Sequence, residues 1–417
     1  MLTPRHLSFY GRYNFRRQAL AEMLVSIGGQ TALYGQFILG RKFEHTALDS
    51  TVLFACLHLG FFFSPYLAEM MRTRPARPFY LAMFAFGVLP FLAGVFVDGY
   101  WGFAPIIIVA NFAFIALFVP LRNRLMGSNY HALERGRIYS SFSLLNYGAY
   151  FALAYSGALA LDSDPERLSW MFPVVGVIAA AGIALFLKIR VRGERRMLEK
   201  ESEVPTRRPL AVYAELFRLF AREKRFTLYQ LGFVLYGFGF MTTVPREVDI
   251  VSQTLELKYS IIVLGVLGLS PLARIVIVRF FGRQLDRNGP FFVCAVCFGM
   301  LTAYPLCVWG ATVYESIALW LLARIVFGLA MAGVDLAWTI GPVLFGNAAK
   351  ASSLSGAHIF VVAIRASIAP YFGQWLWGLM GTKVFAVSMA FFVISGVFMY
   401  WLGRSGPIPA HAAARAA

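Results

Sequence analysis

Charge is what this chain has least of. Asp, Glu, Lys and Arg make up 14% of its 417 residues, whereas a soluble domain carries about a quarter. Acid is scarcer than base, with 21 Asp and Glu against 38 Lys and Arg. Cysteine is nearly absent too. The four, Cys56, Cys294, Cys297 and Cys307, all lie in apolar runs. Cys294 and Cys297 form a CxxC, but it sits mid-helix with no His or second Cys pair nearby, so packing explains it better than metal or redox chemistry. No Walker motif, nucleophile–base set or metal-ligand cluster is present. That excludes direct ATP coupling by this chain alone, argues against an enzyme, and calls for no metal or other cofactor.

What is abundant is apolar sequence, 59% of all residues. Apolar runs of about 20 residues recur along the whole length, each able to cross a hydrocarbon core about 30 Å thick. Runs such as IIIVANFAFIALF do not alternate in polarity, as barrel strands would. The expected fold is therefore an all-α membrane protein of twelve transmembrane helices, near 18–40, 49–71, 78–97, 101–121, 138–161, 168–189, 226–248, 257–280, 290–310, 314–338, 354–378 and 382–403. No cleavable signal peptide is expected, because the polar first 17 residues, with Arg5, Arg12, Arg16 and Arg17, lead into a full span.

The longest polar interruption, 190–225, divides the chain into a first six-helix bundle (1–189), a cytoplasmic basic linker and a second bundle (226–417). Around 209–222 apolar residues recur at helical spacing, which suits an amphipathic helix on the membrane surface. With both termini cytoplasmic, 29 Lys and Arg fall inside and 5 outside, and four lie in or at the edge of spans. That is the positive-inside bias. The net charge of +17 is thus a topology signal that requires no nucleic-acid partner, although the linker should favour anionic lipid.

Span 8 is followed by GRQLDRNGP, with Gly282, Asp286, Arg287 and Gly289. Span 2 ends in the corresponding PYLAEMMRTRPAR, with Glu69 and Arg72, where Glu69 replaces an aspartate and Pro65 a glycine. An acid at the inner end of the second helix of each half, followed by a short basic turn, resembles the loop signature of the major facilitator superfamily. NYHALERGRIYSSFSLL, GLAMAGVDLAWTIGP and SGAHIFVVAIRASIAP resemble its bacterial members as well. The resemblance covers essentially the whole chain and implies two six-helix bundles related by pseudo-twofold symmetry, with a midplane substrate site. It also implies alternating access in a bacterial inner membrane by a monomer that handles a small-molecule substrate, with protons as a candidate coupling ion. In the loop motif, glycine would allow close backbone approach and the acid would accept hydrogen bonds as a gate latch.

Within the spans, ionisable residues are functional candidates by default. Arg324 in span 10 and Arg365 in span 11 count to the midplane, and His358 lies seven residues before Arg365 on the same face. No acid counts to that depth. Two unbalanced cations would hold an anionic substrate, because a guanidinium fork bonds planar oxyanions. The alternatives are bonds to backbone carbonyls or, for Arg324, to Asp335 or a helix dipole. Gln30 and Tyr34 in span 1, Asn111 in span 4, Asn146 in span 5 and Tyr236 in span 7 are further lining candidates, with helix packing as the competing role. Proton-coupling candidates are Glu22, Asp335, Glu247 and Asp249, and His358 titrates near neutrality. Glu22 is expected to form a surface ion pair near Arg16 and Arg17. Arg246, Glu247, Asp249 and Lys258 are expected to form a solvated helix end, with a gate or cation site as the alternative. The expected function is transport of a small organic anion. The competing readings are a proton-coupled multidrug or lipid exporter and a non-transporting receptor or scaffold on a transporter fold.

Overall fold

The computed structural model describes residues 9–130, 132–191, 193–203, 205–346 and 351–406. Arg5, His131, Lys350 and the final residues 407–417 lie outside the described residues. Every regular element among the described residues is helical. Eight stretches are long and apolar enough to cross a membrane. Two of them, Tyr259–Val313 and Ser353–Arg404, are 55 and 52 residues long, too long for one crossing, and each contains a break. In the first, Gly289 turns the chain at φ 80°, ahead of Pro290. In the second, Gly381 does so at φ 58°. With Phe9–Lys42 and Lys224–Asp249, the apolar rods number twelve among the described residues.

In chain order the helices are α1 (Phe9–Lys42), α2 (Ala47–Arg72), α3 (Arg77–Phe96), α4 (Tyr100–Asn129), α5 (Ala132–Ser163) and α6 (Pro165–Phe186). Two linker helices follow, α7 (Glu194–Ser202) and α8 (Pro209–Arg222). The remainder are α9 (Lys224–Asp249), α10 (259–288), α11 (290–313), α12 (Ile317–Ile340), α13 (Ala351–Met380) and α14 (Val384–Arg404). Three π-helical turns, Phe84–Val88, Phe114–Phe118 and Leu264–Leu269, each end two residues before a proline: Pro90, Pro120 and Pro271. Proline lacks the amide donor and its ring collides with the carbonyl four residues back, so the preceding turn widens.

The chain forms two compact units. Unit 1 comprises Met1–Glu44 and Leu57–Val212. Its core includes Ala21, Val25, Met83, Val88, Phe114, Phe118, Ala179 and Phe186, with a smaller cluster of Phe15, Met126, Ile138 and Phe142. Unit 2 comprises His45–Cys56 and Tyr213–Ala417. In unit 2 a Cβ on Gly328 would stand 2.2 Å from the Ser270 carbonyl oxygen. Only glycine lets α12 lie that close to α10, the small-residue packing expected where lipid supplies no hydrophobic drive. The linker helix α8 buries Val212, Leu216 and Leu219 and leaves Leu210 and Phe217 exposed.

Candidate functional site

Arg324 and Arg365, the arginines of spans 10 and 11, have different surroundings. Arg324 is not free. Its guanidinium lies 3.0 and 3.2 Å from the two carboxylate oxygens of Glu247. The same carboxylate accepts from Trp320 Nε1 at 2.8 Å and from the Tyr304 hydroxyl at 2.5 Å. Glu247 is fully buried. It is therefore not a solvated helix-end acid, and the expectation that no acid shares Arg324's depth is wrong. The physical reason is that α9 continues through Pro245 and adds a π turn, Ile250–Thr254. Glu247 thus lies seven residues from that end, as Arg324 lies seven from the start of α12 at Ile317. At 1.5 Å per residue both are about 10 Å deep. With Arg324, Trp320 and Tyr304 all donating to this carboxylate, the Arg324 arrangement is an internal ion pair.

Asp335 pairs with Arg274 of α10, at 2.5 Å, and not with Arg324. Arg246 and Asp249 of the presumed solvated cluster are also engaged. Arg246 is 1% exposed. It contacts Asp249 at 2.8 Å and donates to the Ala47 carbonyl and the Thr51 hydroxyl at 2.6 Å each. Asp249 also accepts from Ser50 and lies 3.1 Å from His45 Nε2. Lys258 alone of that group is exposed.

Arg365 differs. It is 5% exposed, and no carboxylate pairs with it among the described residues. Its Nη1 donates to the Phe233 carbonyl, its guanidinium lies over the Tyr236 ring at 5.3 Å, and its Nε has no hydrogen-bond partner. Tyr236 is itself stacked on Phe298 at 4.6 Å. Space for Arg365 comes from Gly237, where a Cβ would stand 2.3 Å from Arg365 Cδ and 2.5 Å from Nε. Two turns away on α13, His358 Nδ1 lies 2.7 Å from Gln230 Oε1. The imidazole sits edge-on to Phe233 and Trp338, with centroids at 5.0 and 5.3 Å. His358 Nε2 and Gln230 Nε2 are buried without hydrogen-bond partners. The structure thus brings Arg365, His358 and Tyr236 together and leaves Arg324 in a separate network. The sequence reading missed Gln230, Gly237 and Trp338. The available signal was a shared spacing: Gln230 precedes Gly237 by seven residues, as His358 precedes Arg365.

In unit 1, Glu22 is 1% exposed and does not pair at the surface with Arg16 or Arg17. It accepts from Gln18 at 2.7 Å and faces Arg122 of α4 at 3.6 Å. One face of the first turns of α1 is packed: Asn14, Phe15 and Gln18 are buried, and Gln18 also accepts from the Tyr130 hydroxyl. Asn111 donates to the Leu57 carbonyl at 2.5 Å, which ties α4 to α2 and gives it a packing role. Gln30, Tyr34 and Asn146 are half-buried, and Asn146 Oδ1 has no partner. Glu69 and Arg72 pair at 3.0 Å. Arg72 also donates to the Glu201 and Pro205 carbonyls, and the Arg207 amide donates to Glu69. That acid is engaged by the linker. In unit 2, Asp286 and Arg287 are exposed. A Cβ on Gly282 would meet nothing within 4 Å, so close approach is not the reason for that glycine, and the motif's backbone requirement rests on Gly289.

The sequence profile of the Major Facilitator Superfamily matches residues 19–370. The chain belongs to the major facilitator superfamily. This makes it a multi-pass membrane transporter in class, not an enzyme. No curated protein matches the superfamily member's sequence significantly. Solved structures do resemble it in fold. A D-xylose–proton symporter is 14% identical, covering 95% of this chain and 98% of its own, with a TM-score of 0.69. The nucleoside transporter NupG, as a D323A mutant, is 11% identical over 93% and 99%, at 0.68. A POT family transporter in complex with a thioalcohol-conjugated peptide is 10% identical over 94% and 96%, at 0.66.

Proposed function

We propose that this superfamily member is a secondary transporter of the bacterial inner membrane that works by alternating access and moves a small organic anion, with Arg365 anchoring the substrate. The family fold supports transport. The structural neighbours named above handle a sugar, a nucleoside and a peptide, so the fold leaves the substrate open and the site's residues must decide it. The observation that carries the anion is Arg365, a buried guanidinium with no carboxylate partner among the described residues and one unused N–H. An oxyanion about 4 Å away would gain about 4 kcal/mol at an effective dielectric of 20, and a carboxylate or phosphate suits the fork.

Proton coupling is part of the proposal, and Glu22 is its carrier. Glu22 Oε2 is buried without a hydrogen-bond partner, 3.6 Å from Arg122, whereas both oxygens of Glu247 accept hydrogen bonds; that unfilled acceptor supports the assignment. The test is anion uptake and binding in proteoliposomes. Arg365→Gln should weaken binding at least about tenfold, equivalent to 1.4 kcal/mol, and transport unchanged by that replacement refutes the anchor.

A further inference from the structure

We infer that the Arg365 site selects a hydroxylated organic anion, such as a hydroxy acid or a polyol phosphate, over its deoxygenated counterpart, with Gln230 and His358 reading the hydroxyl. This rests on the reading of Arg365 as the anion anchor. Three polar side chains, each more than nine-tenths buried, carry unused hydrogen-bonding atoms here: Arg365 Nε, Gln230 Nε2 and His358 Nε2. They share two packed helices. Gln230 bonds His358, and three residues further along α9 Phe233 accepts from Arg365. An unmet buried donor or acceptor costs about 1–3 kcal/mol, so a set of three points to a ligand that meets them.

The character of the set follows from the His358–Gln230 contact. With a neutral imidazole, that 2.7 Å contact has two possible arrangements. In one, Nδ1–H donates to the amide oxygen, which leaves Nε2 of the ring as an acceptor and the amide nitrogen as a donor. In the other, the amide is turned and its nitrogen donates to Nδ1. The ring then presents Nε2–H and the amide presents its oxygen. Nitrogen and oxygen of an amide exchange places in such assignments, yet both arrangements leave one donor and one acceptor. A hydroxyl is both at once. It accepts from one group and donates to the other, which a methylene cannot do. A purely anionic ligand satisfies the donor and leaves the acceptor bare. Arg365, whose Cα is about 10 Å along the helix from that of His358, reaches back with a long side chain for the anionic end. Phe233 and Trp338, both against His358, make the surroundings apolar, so an unmet polar group there is not rescued by solvent.

The experiment is ligand-induced thermal stabilisation of the purified full-length protein, titrated with matched pairs: lactate and propionate, malate and succinate, gluconate and hexanoate, glycerol 3-phosphate and propyl phosphate. Stabilisation follows occupancy and gives the affinity. At least one hydroxylated member should bind about tenfold or more tightly than its partner. That ratio should fall to within about twofold in Gln230→Leu and in His358→Phe, while Arg365-dependent binding of the deoxygenated member persists. His358→Gln, which keeps a donor and an acceptor, should retain most of the ratio. Arg365-dependent binding with no preference in the wild-type protein overturns this inference and leaves the anion reading standing. A preference that survives both apolar replacements also overturns it, because bulk water or another group must then be reading the hydroxyl. The wild-type ratio needs no variant to fold. Binding by no member of the panel, or binding indifferent to Arg365→Gln, overturns the anion reading and this inference with it.

Discussion

Replacing Arg324 or Arg365 by glutamine should give opposite results. Arg324→Gln removes the positive partner of Glu247, which is fully buried and keeps only its bonds from Trp320 and Tyr304. Stranding one member of a buried ion pair costs about 3–5 kcal/mol. For a unit of 150–250 residues each kcal/mol shifts the midpoint by about 2–4 °C, so the expected fall is roughly 6–20 °C. The double replacement Arg324→Gln with Glu247→Gln removes both charges and should recover most of that loss, since exchanging a whole buried pair for neutral groups is often near neutral. Arg365→Gln strands no carboxylate. It gives up one bond to the Phe233 carbonyl and removes an uncompensated buried charge, two effects of opposite sign and similar size. Its midpoint should stay within a few degrees of wild type, or rise, while anion binding is lost. The assay is thermal unfolding in detergent at one fixed scan rate, because such unfolding is commonly irreversible. An equal fall for Arg324→Gln and Arg365→Gln, or a double variant no better than Arg324→Gln alone, refutes the assignment of one arginine to the fold and the other to the ligand.

Gly237→Ala places a Cβ 2.3 Å from Arg365 Cδ, so the guanidinium must leave its position. Anion affinity should drop about tenfold or more in the thermal-shift titration, and an unchanged affinity contradicts the geometry. Arg246→Met removes the contacts to Asp249, Ala47 and Thr51. Charged hydrogen bonds contribute about 1.5–3 kcal/mol each, so amide exchange in residues 45–56 should speed up by about tenfold or more, and protection at wild-type level there counts against this anchoring. Glu22→Gln should abolish the response of transport to an imposed pH gradient and spare exchange at equal pH, whereas a wild-type protein indifferent to the gradient removes Glu22 from coupling.

The fold was legible because a bilayer leaves few choices. A segment that must satisfy its own backbone in lipid has to be a long apolar helix, and such runs can be counted. The local bends were partly legible as well, since each of three π turns sits two residues before a visible proline. Depth was not legible. Ending span 7 at residue 248, just past Pro245, put Glu247 at the surface, whereas α9 carries on for a further π turn and sinks that acid by about 10 Å. Proline stops a helix less often in a membrane, where neighbouring groups take up the freed carbonyl. The same error hid the difference between the arginines, since each is a single cation in an apolar run. A buried charge is identified by what shares its depth on other helices, and those partners are 77 residues away for Arg324 and 132 for Arg365. For Arg324 the partner is a carboxylate, which completes the pair within the protein. For Arg365 it is a peptide carbonyl, which meets one donor; no carboxylate pairs with it among the described residues, and that difference is the ground for proposing that its anion is the substrate.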